Sequence, residues 1–288
     1  GIPDDCDIAA GSADCNANGV PDECEGGDPC GGGGGGSVIL MSFKANTAVP
    51  GLGTVRDEDI VAFDTATGTW SLYFDGSDVG LGGFQIDALA VLPSGDMLLS
   101  FTAAGTVGGL TGVDDSDIVR FVPTSLGATT AGSFRRYFDG SDVGFSTNAE
   151  DIDALGILED GSLILSTLGN GAAGGVSFTD EDLLRFVPTS LGGNTAGSLS
   201  MYFDGSDVGL TTNAEDIDAV SVLPSGLISL STQGVFSVPV ASGRSEDLVD
   251  FSPTTLGGQT SGTFSMFFVG IDAGLAGTAN IGSAEEIP

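Results

Sequence analysis

Tyr73-Phe74-Asp75-Gly76-Ser77-Asp78-Val79-Gly80 recurs unchanged at Tyr137–Gly144 and Tyr202–Gly209, with a decayed copy at Phe267–Gly274. The spacing is about 65 residues, and fixed-period self-similarity is the mark of a repeat architecture. Two further signatures keep the same period. An acidic pair leads into an apolar strand at Asp57-Glu58-Asp59-Ile60, Asp115-Ser116-Asp117-Ile118, Asp180-Glu181-Asp182-Leu183 and Ser245-Glu246-Asp247-Leu248. Glu150-Asp151-Ile152-Asp153-Ala154 recurs at Glu215–Ala219, is partial at Phe84–Ala88, and breaks off at Glu285-Glu286-Ile287-Pro288.

Each unit reads as four short strands. In the second unit these are residues 86–92, 97–101, 118–122 and 134–138, separated by Pro93-Ser94-Gly95-Asp96, a Gly-rich loop and Pro123-Thr124-Ser125-Leu126-Gly127. Those separators are turn formers, and no segment sustains a helical period. The expected fold is therefore all-β: a β-propeller, most simply four blades of four antiparallel strands, with a small disulfide-stapled N-terminal segment. The chain divides into a Cys-rich segment 1–30, a glycine linker 31–36 and propeller repeats 37–288. The strand order resembles that of NHL and gluconolactonase-like propellers, with Ile152–Leu165 in the place of their inner two strands. The resemblance implies a fold and carries no active site.

The repeats begin at Ser37–Phe43, which matches the second strand of a unit, so the first unit lacks its innermost strand. The tail Ser283–Pro288 begins to supply one and stops. A ring closed by a very short tail strand is the simplest expectation. The alternative is completion by a neighbouring chain, since open strand edges recruit partners.

Forty acidic residues stand against seven basic ones with no histidine, a formal charge of −33. Such a charge repels itself, and its sign excludes nucleic acid and anionic membranes as partners. Calcium is the expected cofactor, because carboxylate and carbonyl oxygens suit hard cations. Asp14, Asn16, Asn18, Val20, Asp22 and Glu25 fit a twelve-position calcium loop with Gly19 at its turn. This loop resembles those of dockerins and thrombospondin type 3 repeats; with one complete copy here, a dockerin's cohesin partner is not implied. Cys6, Cys15, Cys24 and Cys30 read as two disulfides in an oxidising compartment. Three pairings are open, Cys6–Cys15 with Cys24–Cys30 being the most local, and a zinc site is the competing reading.

In the repeats, alternating strand direction puts Asp75, Asp78, Asp139, Asp142, Glu150, Asp151, Asp180, Asp182, Asp204, Asp207, Glu215 and Asp216 on one rim as further candidate calcium ligands, with the Pro-Thr-Ser-Leu-Gly loops on the opposite face. Turn formation is the bland alternative for the Asp-Gly-Ser-Asp loops. Asp87, Asp153 and Asp218 are expected to line the central channel as a ring holding an ion or waters, or to accept amides of the next blade. Arg120 and Arg185, at matching strand positions, should pair with carboxylates. Trp70 and the phenylalanines read as core. No histidine means no histidine-based proton shuttle, and acids that repeat with the unit do not stand out as a catalytic pair. The expected function is a secreted calcium-binding structural or adhesive protein that self-associates, in fibrils by strand completion. The alternatives are a monomeric propeller binding a glycan or surface protein and, behind it, a glycosidase-type enzyme.

Overall fold

The computed structural model describes residues 36–287. The calcium loop and all four cysteines lie outside the described residues.

Four four-stranded antiparallel sheets are arranged as the blades of a propeller. Blade I holds β1 (Val38–Phe43), β4 (Ile60–Asp64), β5 (Thr69–Phe74) and, innermost, the tail strand β24 (Ile281–Ile287). Blade II runs from the axis outward as β6 (Ile86–Val91), β7 (Met97–Phe101), β10 (Ile118–Ser125) and β11 (Ala131–Phe138). Blade III is β12 (Ala154–Ile157), β13 (Leu163–Ser166), β16 (Leu183–Ser190) and β17 (Ala196–Phe203). Blade IV is β18 (Ile217–Val222), β19 (Ile228–Thr232), β22 (Leu248–Thr255) and β23 (Ser261–Phe268).

The Gly-rich loop between the second and third strands is itself ordered in every blade. It forms a small hairpin: β2–β3 (Thr47–Val49, Gly53–Val55), β8–β9 (Gly105–Val107, Leu110–Val113), β14–β15 (Gly171–Ala173, Val176–Phe178) and β20–β21 (Phe236–Val238, Ala241–Gly243). Its strands are too short and glycine-rich to stand out from a loop by pattern alone.

Burial grades across each blade. β6 is buried along five of its six residues, whereas β11 is exposed or half-buried at seven of its eight and buried at Phe138. A strand covered on both faces loses the period-two pattern that a half-exposed strand keeps. At each seam the phenylalanine of the Tyr-Phe-Asp motif meets, edge to face, a phenylalanine of the next blade's third strand: Phe74 with Phe121, Phe138 with Phe186, Phe203 with Phe251, and Phe268 with Phe63, at 5.1–5.2 Å between ring centres. Such pairs add about 0.5–1.5 kcal/mol each beyond their area burial.

The closing strand is not short. β24 pairs with β1 from Val38↔Ile287 to Phe43↔Ile281, and its seven residues make it the longest innermost strand. The register also corrects the alignment of the last repeat. Ile281 stands opposite Phe43 as Ile86 stands opposite Phe101, so the tail's counterpart of Ile-Asp-Ala is Ile281-Gly282-Ser283 rather than the Glu285–Pro288 stretch. With glycine at the aspartate position the signature is invisible in the sequence. Since the chain's own tail fills the innermost place, the open edge that motivated strand completion by a neighbour is closed.

Glycine is required in the Asp-Gly step. A Cβ on Gly76, Gly140, Gly205 or Gly270 would lie 2.1–2.3 Å from the carbonyl oxygen of residue 58, 116, 181 or 246. We expect Gly140→Ala to lower unfolding free energy by about 1–3 kcal/mol through overpacking. Gly258→Ala, where an added Cβ meets nothing within 4 Å, should stay within about 0.5 kcal/mol; urea denaturation of the two variants checks the contrast.

Candidate functional site

The repeated acids fall into three structural groups. In the first, Asp59, Asp117, Asp182 and Asp247 each bridge two backbone amides within a blade. One oxygen accepts from the residue three before it (Arg56, Asp114, Thr179, Arg244) at 2.9–3.0 Å. The other accepts from the glycine of the Asp-Gly step (Gly76, Gly140, Gly205, Gly270) at 2.9–3.1 Å. Asp117 also pairs with Arg136.

In the second group, the Asp-Gly-Ser-Asp loops join one blade to the next. Asp78, Asp142 and Asp207 accept the amides of Thr130, Thr195 and Thr260 at 2.8–2.9 Å. The same threonine hydroxyls accept the amides of Asp75, Asp139 and Asp204 at 2.9 Å. The carboxylates of Asp75, Asp139 and Asp204 turn back to the serine hydroxyls two residues on. These threonines end the loops that begin Pro-Thr-Ser-Leu-Gly in blades II and III and Pro-Thr-Thr-Leu-Gly in blade IV. The expected separation of acidic loops and Pro-Thr-Ser-Leu-Gly loops onto opposite faces is therefore wrong at the perimeter. Strand twist accumulates outward and brings the end of one blade's outermost strand against the outer hairpin of the next: Gly127 donates to the Tyr73 carbonyl at 2.7 Å. Blade IV lacks this staple toward blade I. There the Trp70 indole donates to the Ala273 carbonyl at 2.9 Å instead. Glu150 and Glu215 accept the amides that begin their own turns, Ser146 and Thr147, and Thr211 and Thr212. Asp180 is half-buried beside Glu181, and its carbonyl accepts from Ile217.

The third group lies on the axis. Asp87, Asp153 and Asp218 are 2%, 0% and 0% exposed. Asp87 and Asp218 are the unpaired residues of β-bulges in β6 and β18. A bulge re-aims its side chain, which is how an aspartate in an apolar strand turns toward the centre. Asp151 and Asp216 stand two residues before Asp153 and Asp218 and are likewise buried. The expected acceptance of amides from the next blade is not found here: neither carboxylate oxygen of Asp153 or Asp218 has a hydrogen-bond partner, nor has Oδ1 of Asp151 or of Asp216. Gln85 donates to Asp87 at 3.4 Å and Gln233 to Asp216 at 3.2 Å.

Sequence reasoning missed the central cation. Lys44, the chain's single lysine, places Nζ 3.3 Å from Asp218 Oδ2. Its Cγ would lie 3.1 Å from a Cβ on Gly282, the position that is aspartate in the other three blades. The ammonium stem thus occupies the room that a fourth aspartate would need. A lone lysine in a chain with forty acids was the available signal.

Burial raises the pKa of this group throughout. Asp87 is pushed up to about 7, with Asp218 adding to the rise and Lys44 opposing it. Asp151 is pushed to about 8 by burial and by Asp87 and Asp115. Asp216 reaches about 8 by burial and by Asp218, and Asp218 about 6, held down by Lys44. Asp153 is held well above the carboxylate range by burial, Asp216 and Asp87. Burial by itself would lower Lys44, but Asp218, Asp87, Asp153 and Asp216 together keep it charged. Toward the tail, burial pushes Glu285 to about 8.

Among the described residues, no three carboxylates already stand as a metal cage. Of the rim candidates, Asp78, Asp142, Asp182, Asp207, Glu150 and Glu215 accept amides and Asp75, Asp139 and Asp204 accept hydroxyls. Asp151 and Asp216, expected on the rim, belong instead to the axial group and carry unpartnered oxygens. As expected, Arg120 pairs with Asp96 and Arg185 with Asp160, and ten phenylalanines are fully buried. No helix among the described residues is long and apolar enough to cross a membrane.

No family model matches the chain, and no curated protein sequence matches it. Among solved structures, it is similar to a catalytically inactive variant of virginiamycin B lyase from Staphylococcus aureus with quinupristin (11% identity, TM-score 0.30, covering 80% of this chain and 55% of that one). It is also similar to the selenomethionine form of that lyase (10%, 0.31, 80% and 55%) and to the extracellular domain of a one-component system from B. thetaiotaomicron (11%, 0.28, 73% and 33%). The chain thus spans about half the length of the lyase and a third of the other, and nothing about activity is carried over from them.

Two outcomes are expected. Asp142→Ala strands the Thr195 amide at the seam between blades II and III and should cost about 1–3 kcal/mol, read by urea denaturation. The unfolded chain gives up its carboxyl protons near pH 4, whereas Asp87, Asp151, Asp216 and Glu285 hold theirs to about 7–8 when folded. Between those limits the folded state binds more protons, so stability falls as pH rises. In chelator, the melting temperature should be higher at pH 5 than at pH 9. Asp114, Asp115, Asp180 and Lys44 also face this group, and Asp151→Asn with Asp216→Asn should flatten the slope.

Proposed function

We propose that the chain is a secreted, calcium-dependent propeller module with a structural or adhesive role and no catalytic one. The observation that carries this reading is the placement of the acids. In blade after blade the same aspartates hold the same backbone amides, which is what a scaffold uses them for. The surplus of unpartnered carboxylates gathers on the axis around one lysine. Taken with a charge of −33 and no histidine, this arrangement needs a counter-ion rather than a substrate. Hard divalent cations suit an all-oxygen set, and the calcium loop read at Asp14–Glu25 belongs to the same chemistry. Contacts between copies of the chain would run over outer surfaces of a ring closed by its own tail, not through exchanged innermost strands.

A self-contained ring that binds a glycan or a protein is the second reading, and closure by β24 favours it over strand exchange. Melting the full chain in calcium and in chelator tests the first. At calcium a hundredfold above Kd, stabilisation of about 2.7 kcal/mol is expected, a rise on the order of 5–10 °C. An identical melting temperature in both conditions overturns the calcium reading. Electron microscopy of the same samples then separates filaments that dissolve in chelator from single discs.

A further inference from the structure

From the axial geometry we infer a specific site: one hard divalent cation of the calcium class binds between Asp87, Asp153 and Asp218, with Asp151 and Asp216 beside them and the Lys44 ammonium as the fixed fourth side. This deepens the calcium reading above and rests on it, by naming where in the ring an ion is held.

Three observations support the site, the first two of them independent of its acidity. The first is orphaned oxygen. Both carboxylate oxygens of the fully buried Asp153 lack a hydrogen-bond partner, and the fully buried Asp218 has Lys44 Nζ 3.3 Å from its Oδ2. Native structures leave few buried polar atoms without partners, and each such atom calls for an explanation, an unplaced ion among them.

The second observation is the break in symmetry. At the corresponding bulge blade I carries Gly282, and the Lys44 stem fills the space beside it. Four ionised aspartates round one axis would leave every negative charge facing another. Three aspartates and a tethered ammonium leave more acidic groups than the one ammonium can balance.

The third observation is charge count. Five axial carboxylates face one ammonium, and the nearby Asp114, Asp115 and Asp180 are acidic as well. Lys44 can offset one of the five, and a hard cation with oxygen ligands can take the place of the protons that burial otherwise keeps on the others. In the structure as it stands the three aspartates do not form a closed cage, so binding requires their side chains to turn inward. Because no hydrogen bond fixes Asp153, it can turn toward an ion without losing a partner.

Calcium titration calorimetry on the full chain tests this. Asp14→Ala with Glu25→Ala removes the N-terminal loop as a competing site and serves as the background. In that background one calcium ion should bind, and Asp153→Asn, close in shape and still folded by circular dichroism, should weaken it tenfold or more. Lys44→Met removes the competing ammonium and should tighten calcium binding several-fold, whereas a lysine that merely stabilises the ring would change the melting temperature and leave the affinity alone. Unchanged calcium affinity in both Asp153→Asn and Lys44→Met overturns the axial site. If, in addition, the unmodified chain still gains stability from calcium, the wider calcium reading survives without it. No calcium uptake by the unmodified chain overturns both.

Discussion

The pairing of β24 with β1 is the contact on which the rest of the ring depends. It joins residues about 240 positions apart along the chain, so it is an expensive contact to reach by chain entropy. Once made, it fixes blade I, and through it the axis. Phe63 of blade I meets Phe268 of blade IV only because the ring has closed, and Lys44 follows directly on the strand that receives the tail. Without that pairing, Lys44 would have no ring of carboxylates to enter, and Asp218 would have no counter-charge.

Closure also explains why one seam differs from the other three. Within the run of repeats, Asp78, Asp142 and Asp207 hold threonines of the next blade. At the seam between the last and first blades, Trp70 takes over with a bond to the Ala273 carbonyl and an aromatic cluster with Phe63 and Phe268. Blade I supplies a short turn at Asp64–Thr69 where the others supply the longer Pro-Thr hairpin, so there is no threonine at the right reach for a staple. The decay of the motif at Phe267–Gly274 is thus matched by a change on the opposing blade.

The acids divide by what surrounds them. Those at turns accept amides, either of their own turn or, at Asp78, Asp142 and Asp207, of the next blade's hairpin. Those on the axis, two of them carried there by bulges at Asp87 and Asp218, find almost no donors. The same residue type is therefore structural at Asp142 and a candidate ligand at Asp153, and backbone geometry alone separates the two.

The sequence by itself determined the repeat, the four-stranded blade, the phenylalanine core and the aspartates that face the axis, because each follows from periodicity and turn chemistry acting over a few residues. Asp87, Asp153 and Asp218 were legible as a ring since they recur at one strand position. Tertiary structure alone decided three things. The tail strand was hidden because Gly282 replaces the aspartate that marks the other three copies. The meeting of Asp78 with Thr130 depends on twist accumulated across two blades, which no local pattern records. The entry of Lys44 into the acidic ring depends on closure, and a contact between chain segments 174 positions apart has no trace in the sequence beyond the solitude of that one lysine.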